Sequence, residues 1–214
     1  CIYPKYSEQP ITEEELLKGE LEDTNEWYAI AKISGIKICQ ALRIQYGFDA
    51  ISLMPTNLYG PGDNYNPKTS HVMASLIRKF CEAKKDNLSS VNCWGTGAPL
   101  REFLHVDDLG EAVVFALEKW DPDSINAPIN NLSQPLTYLN VGTGKDISIK
   151  ELSEKIAALT GFQGEILWDS SKPDGTPKKQ LDISKILEIG WRPTIDLDIG
   201  ILETITSYKN KHFN

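Results

Sequence analysis

Residues 25–55 read NEWYAIAKISGIKICQALRIQYGFDAISLMP, and their order decides the architecture. Asn25 offers an N-cap, no proline interrupts the next twenty-two residues, and Gly47 suits the left-handed position just past a helix end. The helix predicted over 25–47 carries Ala29, Ile33 and Ile36 on one stripe and Ile30, Ile38, Ala41 and Leu42 beyond it. A helix apolar on two sides is either deeply buried or packs a sheet on one face and a partner on the other. The next apolar run, Ala50–Met54, stops at Pro55 and reads as a buried strand. Helix, glycine stop and buried strand together form the αβ half of a parallel sheet. The expected class is therefore α/β. Within the helix, Tyr28 and Lys32 stand four residues apart, one above the other on one face. An ammonium beside a phenol favours the phenolate, so the pair suits proton transfer to or from a carbonyl or alcohol. The same spacing also describes an ordinary solvated helix face.

Outward from this segment the pattern alternates. Thr12–Lys18 reads as a short helical piece with Thr12 and Glu15 as a capping box. Pro55–Pro67 (PTNLYGPGDNYNP) is dense in turn formers and reads as a loop beyond a strand's C-terminal end, where open α/β sheets bind ligands. Helix 70–84, strand 91–94, strand 102–106, a helix over 108–120 capped by Asp107, and a polar surface loop over 121–136 follow. Strand 138–141, turn 142–145 and helix 148–160 form one unit, with Ser148 and Glu151 as a capping box. Strand 165–168, loop 170–179 and helices 183–189 and 197–209 complete the chain.

The chain has 214 residues and a formal charge of −8. That charge argues against a broad nucleic-acid-binding surface, while leaving room for a local cluster of cations around an anionic ligand. The four cysteines, Cys1, Cys39, Cys81 and Cys93, show no metal-type spacing with one another or with the histidines. They suit a reduced, cytoplasmic protein. No stretch has the apolar length of a membrane span, and no signal peptide opens the sequence. The first residue is a cysteine that runs straight into IYP, as in a piece cut from a longer protein.

Several side chains stand out chemically, each with a plainer reading beside it. Asn57 either offers an amide to a ligand or bonds its own turn. His71, at a helix start where the imidazolium is disfavoured, is either a proton carrier or an exposed first-turn residue. Arg101 near Trp94 suits a nucleotide base with its diphosphate, or merely ends a strand. Ser171–Lys179 (SKPDGTPKK) gathers lysines and Asp174 on a Gly/Pro loop that clamps phosphate or ribose, or is simply solvated. His105, between Leu104 and Val106, reads as structural, and Trp120 and Trp191 as packing residues.

Taken together, YAIAK (28–32), PTNLYGPGDN (55–64), REFLHVDD (101–108), NVGTG (140–144) and SKPDGTPKK (171–179) resemble the extended short-chain dehydrogenase/reductase family in order and spacing. More narrowly, CIYPK, EDTNEWYAIAK, TSHV and KPDGTP are similar to the branch that makes GDP-L-fucose from GDP-4-keto-6-deoxymannose. That resemblance implies epimerisation at C3 and C5 followed by NADPH reduction at C4. It implies Tyr28 as the acid at the C4 oxygen and Lys32 as its tuning partner. Cys1 and His71 would be the epimerisation pair. Lys32, Pro55, Thr56, Asn57, Leu58 and His71 would meet NADP, and Lys79, Trp94, Arg101 and Asp174 the GDP-sugar, with Lys179 a further contact. The implied fold is a partial Rossmann-like parallel sheet over 1–62, with a smaller α/β substrate domain over most of 63–214 from which some segments return to the sheet. A homodimer through the 25–47 helix is also implied. No metal, nucleic acid or membrane partner is expected.

The chain departs from this family's pattern in two respects: it holds no G-x-x-G-x-x-G loop on a first βα unit, and the family's catalytic serine would fall two residues before Cys1. Weak or absent NADPH binding and no turnover by this chain alone are therefore expected. A related nucleotide-sugar epimerase or dehydratase, and a GDP-sugar binding module without chemistry, are the alternative readings. The Cys1/His71 pair separates the first of these, because a plain 4-epimerase does not need it.

Overall fold

The computed structural model describes residues 1–213. In chain order the elements are α1 (Glu26–Tyr46), β1 (Ser52–Pro55), β2 (Asn57–Tyr59), α2 (Val72–Lys85), β3 (Ser90–Trp94), β4 (Leu100–His105) and α3 (Val106–Lys119). They continue with β5 (Tyr138–Val141), β6 (Asp146–Ser148), α4 (Ile149–Thr160), β7 (Glu165–Asp169), β8 (Lys178–Lys179), α5 (Ser184–Glu188) and α6 (Leu197–His212). They divide into two compact units, one of residues 1–56, 109–144 and 179–193, the other of residues 57–108, 145–178 and 194–214. The chain passes from the first unit to the second at Thr56–Asn57, and two later segments return to the first.

The first unit is built on the expected αβ half. Gly47 closes α1 at φ +64°, and its N–H donates to the Arg43 carbonyl at 2.9 Å. β1 then pairs in parallel with β5, in the register Ser52↔Tyr138 to Pro55↔Val141. Leu139 and Val141 are fully buried there, and Met54 nearly so. Ala29 and Ile33 are the buried residues of α1. Ile30, Ile38 and Ile44 are exposed, so this helix packs along one face and is not deeply buried. The predicted capping box at Thr12 does not form. The turn is a three-residue 3-10 segment, Glu13–Glu15, without a side-chain cap, and Glu15 pairs instead with Lys18 at 2.8 Å. Over 121–136, the Asn130 side chain accepts from the Leu132 and Gln134 amides, and Ile129 bridges Pro135. Trp120 and Leu136 at its ends are buried.

The second unit holds two sheets and three packed helices. β2 runs parallel to β4, β6 is antiparallel to β4, and β3 is parallel to β7. Two of these strands are not among those expected from the sequence. Asn57–Tyr59 is a strand inside the Gly/Pro-rich stretch expected as a loop, and Asp146–Ser148 is one between the expected turn 142–145 and α4, ending on the residue expected to open the helix. Against them pack α2, α4 and α6, with Phe80, Ile77, Leu152, Ile156, Ile201 and Ile205 buried in common. The Ser148 capping box is present, its hydroxyl accepting from the Glu151 N–H at 3.1 Å while the Glu151 carboxylate accepts from Ser148. Asp107 is not the cap of α3, because the helix already begins at Val106 and Asp107 lies in its first turn. Its N–H donates to His105 Nδ1 at 3.3 Å. Asp108 is the organising carboxylate, accepting from the Thr194 and Ile195 amides at 2.9 and 3.1 Å.

Candidate functional site

In the first unit, burial of Ala29 and Ile33 turns the neighbouring positions Tyr28 and Lys32 outward. Lys32 Nζ lies 5.4 Å from the centroid of the Tyr28 ring, and both residues are exposed. Cys1 carries an exposed free thiol. Its segment is pinned by Tyr3, a buried residue whose hydroxyl donates to Asn140 Oδ1 at 2.5 Å. Burial pushes that phenol far above its usual range, with Glu13 adding to the effect. Pro55 and Thr56 end β1 at the carboxyl end of the parallel pair, where the Thr56 N–H donates to the Val141 carbonyl at 3.0 Å.

In the second unit, Asn57 and Leu58 open β2, and the Asn57 amide donates to the Glu102 carbonyl at 2.8 Å. Asn57 thus ties two strands together instead of bonding its own turn. His71 is the N-cap residue of α2, extended at φ −73° and ψ 166°; its carbonyl accepts the Ser75 N–H and its side chain makes no capping bond. His105 is buried against the edge of Tyr59, ring centroids 5.3 Å apart.

Trp94, Arg101 and Asp174, far apart in sequence, come together in the second unit. With Val72, Gly97, Pro99, Ile149 and Pro173 they line a pocket of about 160 Å³. Trp94 ends β3 and is 69 % exposed. Lys79 from α2 and Lys172 from the loop after β7 each place an ammonium 5.8 Å from that ring. Lys79 is held there by donating to the Asn92 carbonyl at 2.9 Å. Arg101, near the start of β4, donates to the Leu100 carbonyl at 2.8 Å. Burial draws its guanidinium below the ordinary value, and Asp174 opposes that shift.

Asp174 owes its placement to the turn after β3. Its Oδ1 accepts from the Thr96 N–H and its Oδ2 from the Thr96 hydroxyl, each at 2.7 Å. These bonds, the backbone one first, hold its carboxyl below the usual range, with Arg101 contributing less. Gly95 makes the approach possible: at φ +79°, a Cβ there would stand 2.3 Å from Asp174 Oδ1. An exposed indole, two ammonium groups, a guanidinium and an ionised carboxylate form a set suited to a nucleoside diphosphate. Thr96 and Lys172 escape the sequence reading. A threonine between two turn glycines carries no periodic signal, and Lys172 stands out only as one of several loop lysines.

Among the described residues no cluster of three or more His, Cys, Asp or Glu could hold a metal ion, and no helix is long and apolar enough to cross a membrane.

Comparison with known proteins adds a family. The family model for the NAD dependent epimerase/dehydratase family matches residues 1–130. A probable GDP-L-fucose synthase 1 of Oryza sativa subsp. japonica is 56% identical over 208 residues, covering 97% of this chain and 60% of the relative. The chain thus spans about three-fifths of that relative's length. A crystal structure of a GDP-6-OMe-4-keto-L-xylo-heptose reductase from C. jejuni is 33% identical with a TM-score of 0.87, over 99% of this chain and 68% of that one. A GDP-L-fucose synthetase from Naegleria fowleri, bound to NADP, has a TM-score of 0.83 at 26% identity, over 100% of this chain and 65% of that one.

Proposed function

The chain belongs to the NAD dependent epimerase/dehydratase family, and from that premise we propose that it serves GDP-L-fucose synthesis from GDP-4-keto-6-deoxymannose. The observation that carries this reading is the pocket that gathers Trp94, Arg101 and Asp174, with Lys79 and Lys172 flanking the indole. It supplies a stacking surface for a base, cations for a diphosphate and a carboxylate for hydroxyl or N–H donors. We assign residues 57–108, 145–178 and 194–214 to the nucleotide-sugar domain, and the first unit to the Rossmann-like domain.

The chemistry follows from the substrate's ketone. A 4-keto group acidifies the hydrogens at C3 and C5, so a base removes one and an acid returns it from the other face. Cys1 and His71 take these roles, one side chain removing the proton and the other returning it. Tyr28 donates to the C4 oxygen, steadying the enolate and then protonating the alkoxide, with the Lys32 charge beside it. The Tyr28–Lys32 pair, open to solvent beside a parallel sheet, fits the nicotinamide-ribose half of NADP; Lys32, Pro55, Thr56, Asn57, Leu58 and His71 are the residues that would meet it. When bound, NADPH supplies the hydride that reduces C4. The chain also assembles as a homodimer through α1, whose exposed Ile30, Ile38 and Ile44 offer an apolar face. Cytoplasmic location is supported by four unpaired cysteines.

The test joins this chain to the portion of the rice relative that its match leaves uncovered. The fusion is given GDP-4-keto-6-deoxymannose and NADPH in deuterated water. Oxidation of NADPH with deuterium at both C3 and C5 is expected. Oxidation without label would make it a simple 4-keto reductase and remove Cys1 and His71 from their roles. GDP binding without oxidation or label would leave only a binding module.

A further inference from the structure

Asp174 is exposed on a loop, yet both of its oxygens are engaged by a single residue, Thr96, 78 positions away in sequence. The Thr96 hydroxyl donates to Asp174 Oδ2 and accepts from the Ala98 N–H at 3.2 Å, so its orientation is fixed from both sides. Gly95 leaves room for the carboxylate to lie against the turn, and Gly97, at φ +79°, packs so closely that a Cβ would stand 2.7 Å from the Trp168 ring. The whole turn 95–97 is thus set by packing on its own side. Each carboxylate oxygen has two lone-pair sites, and Thr96 uses one on each. The others remain for a ligand in the pocket shared with Arg101 and Trp94.

We propose that Thr96 is a positioning residue for ligand binding: it locks the Asp174 carboxylate in one rotamer, presenting its remaining lone pairs to paired hydrogen-bond donors of a nucleoside diphosphate. This rests on the functional reading above and deepens it at the same pocket. An unlocked aspartate on a Gly/Pro loop would order its side chain on binding and lose affinity accordingly. Thr96 touches no ligand in this account; it acts through Asp174.

Calorimetric titration of this chain with GDP tests the proposal, using wild type, Thr96→Val, Thr96→Ser, Asp174→Asn and the Thr96→Val/Asp174→Asn double variant. Thr96→Val is expected to weaken GDP about tenfold, the weight of one hydrogen bond to a charged group. Thr96→Ser, which keeps the hydroxyl, retains affinity within about twofold on the same principle. The double variant binds no more weakly than Asp174→Asn alone, because a residue acting through Asp174 has nothing left to position. Losses that add independently, or a serine variant as weak as the valine one, overturn the proposal while leaving the GDP pocket standing. A wild-type chain that binds no GDP overturns the functional reading, and this inference with it.

Discussion

Glu13 offers the sharpest thermodynamic test of the first unit. Its side chain is buried, Oε1 accepts from the Asn140 N–H at 2.9 Å, and Oε2 has no hydrogen-bond partner. Burial is the leading cause that raises its pKa from the ordinary 4.5 to about 7; the Asn140 amide and Lys185 pull the other way. The folded state therefore holds a proton between about pH 4.5 and 7 that the unfolded chain releases, so stability falls as pH rises through that window. At ~1.4 kcal/mol per tenfold change in proton affinity, the loss between pH 5 and pH 8 is about 2–3 kcal/mol. Glu13→Gln keeps an acceptor for Asn140 and removes the charge, so it should cancel most of this slope. Urea unfolding of both proteins at the two pH values is the assay. With a urea dependence of about 1–3 kcal/mol per molar, the wild-type midpoint should drop by about 1 M or more relative to the variant. Parallel pH dependence in the two proteins would refute the argument, because Glu13 would then be titrating as it does in the unfolded chain.

Other predictions concern packing and assembly. Ser148→Ala removes the hydroxyl that caps α4 and should cost about 1 kcal/mol, read by thermal unfolding. Gly200→Ala puts a Cβ 2.3 Å from the Tyr59 hydroxyl and 3.0 Å from the His105 ring. Overpacking of about 1–3 kcal/mol should exceed the ~1 kcal/mol that alanine gains in a helix, leaving a net loss in chemical denaturation. Ile38→Glu sets a charge on the exposed face of α1 and should convert a sedimenting dimer to monomer with little effect on unfolding. A wild-type monomer at micromolar concentration would count against the α1 interface.

What could be read in advance follows the range of the interactions involved. The helix–glycine–strand order of residues 25–55 is a local pattern: Gly47 adopts its positive φ and β1 forms after it, although of its four residues only Met54 is buried and the expected fully buried strand is not what folds. The two capping boxes show where locality ends. Ser148 caps, and Glu151 stands in the first turn of, a helix of twelve residues that fixes their geometry. Thr12 and Glu15 frame a turn of three, too short to orient the carboxylate, and Glu15 turns to Lys18 instead. β2 was hidden for a related reason. Three residues among prolines and glycines have no period, and Asn57–Tyr59 becomes a strand only because β4 supplies its partner. The interleaving of the two units is likewise invisible to local patterns, since it depends on which distant segments close each core. The pocket stands between these cases. Trp94, Arg101 and Asp174 stand out by residue type and the resemblance gives them a common ligand, whereas Thr96 acquires meaning only from a carboxylate that the fold delivers to it. Residue types that bear charge or rings announce themselves in sequence; the small polar residue that aims them is legible only once the backbone is known.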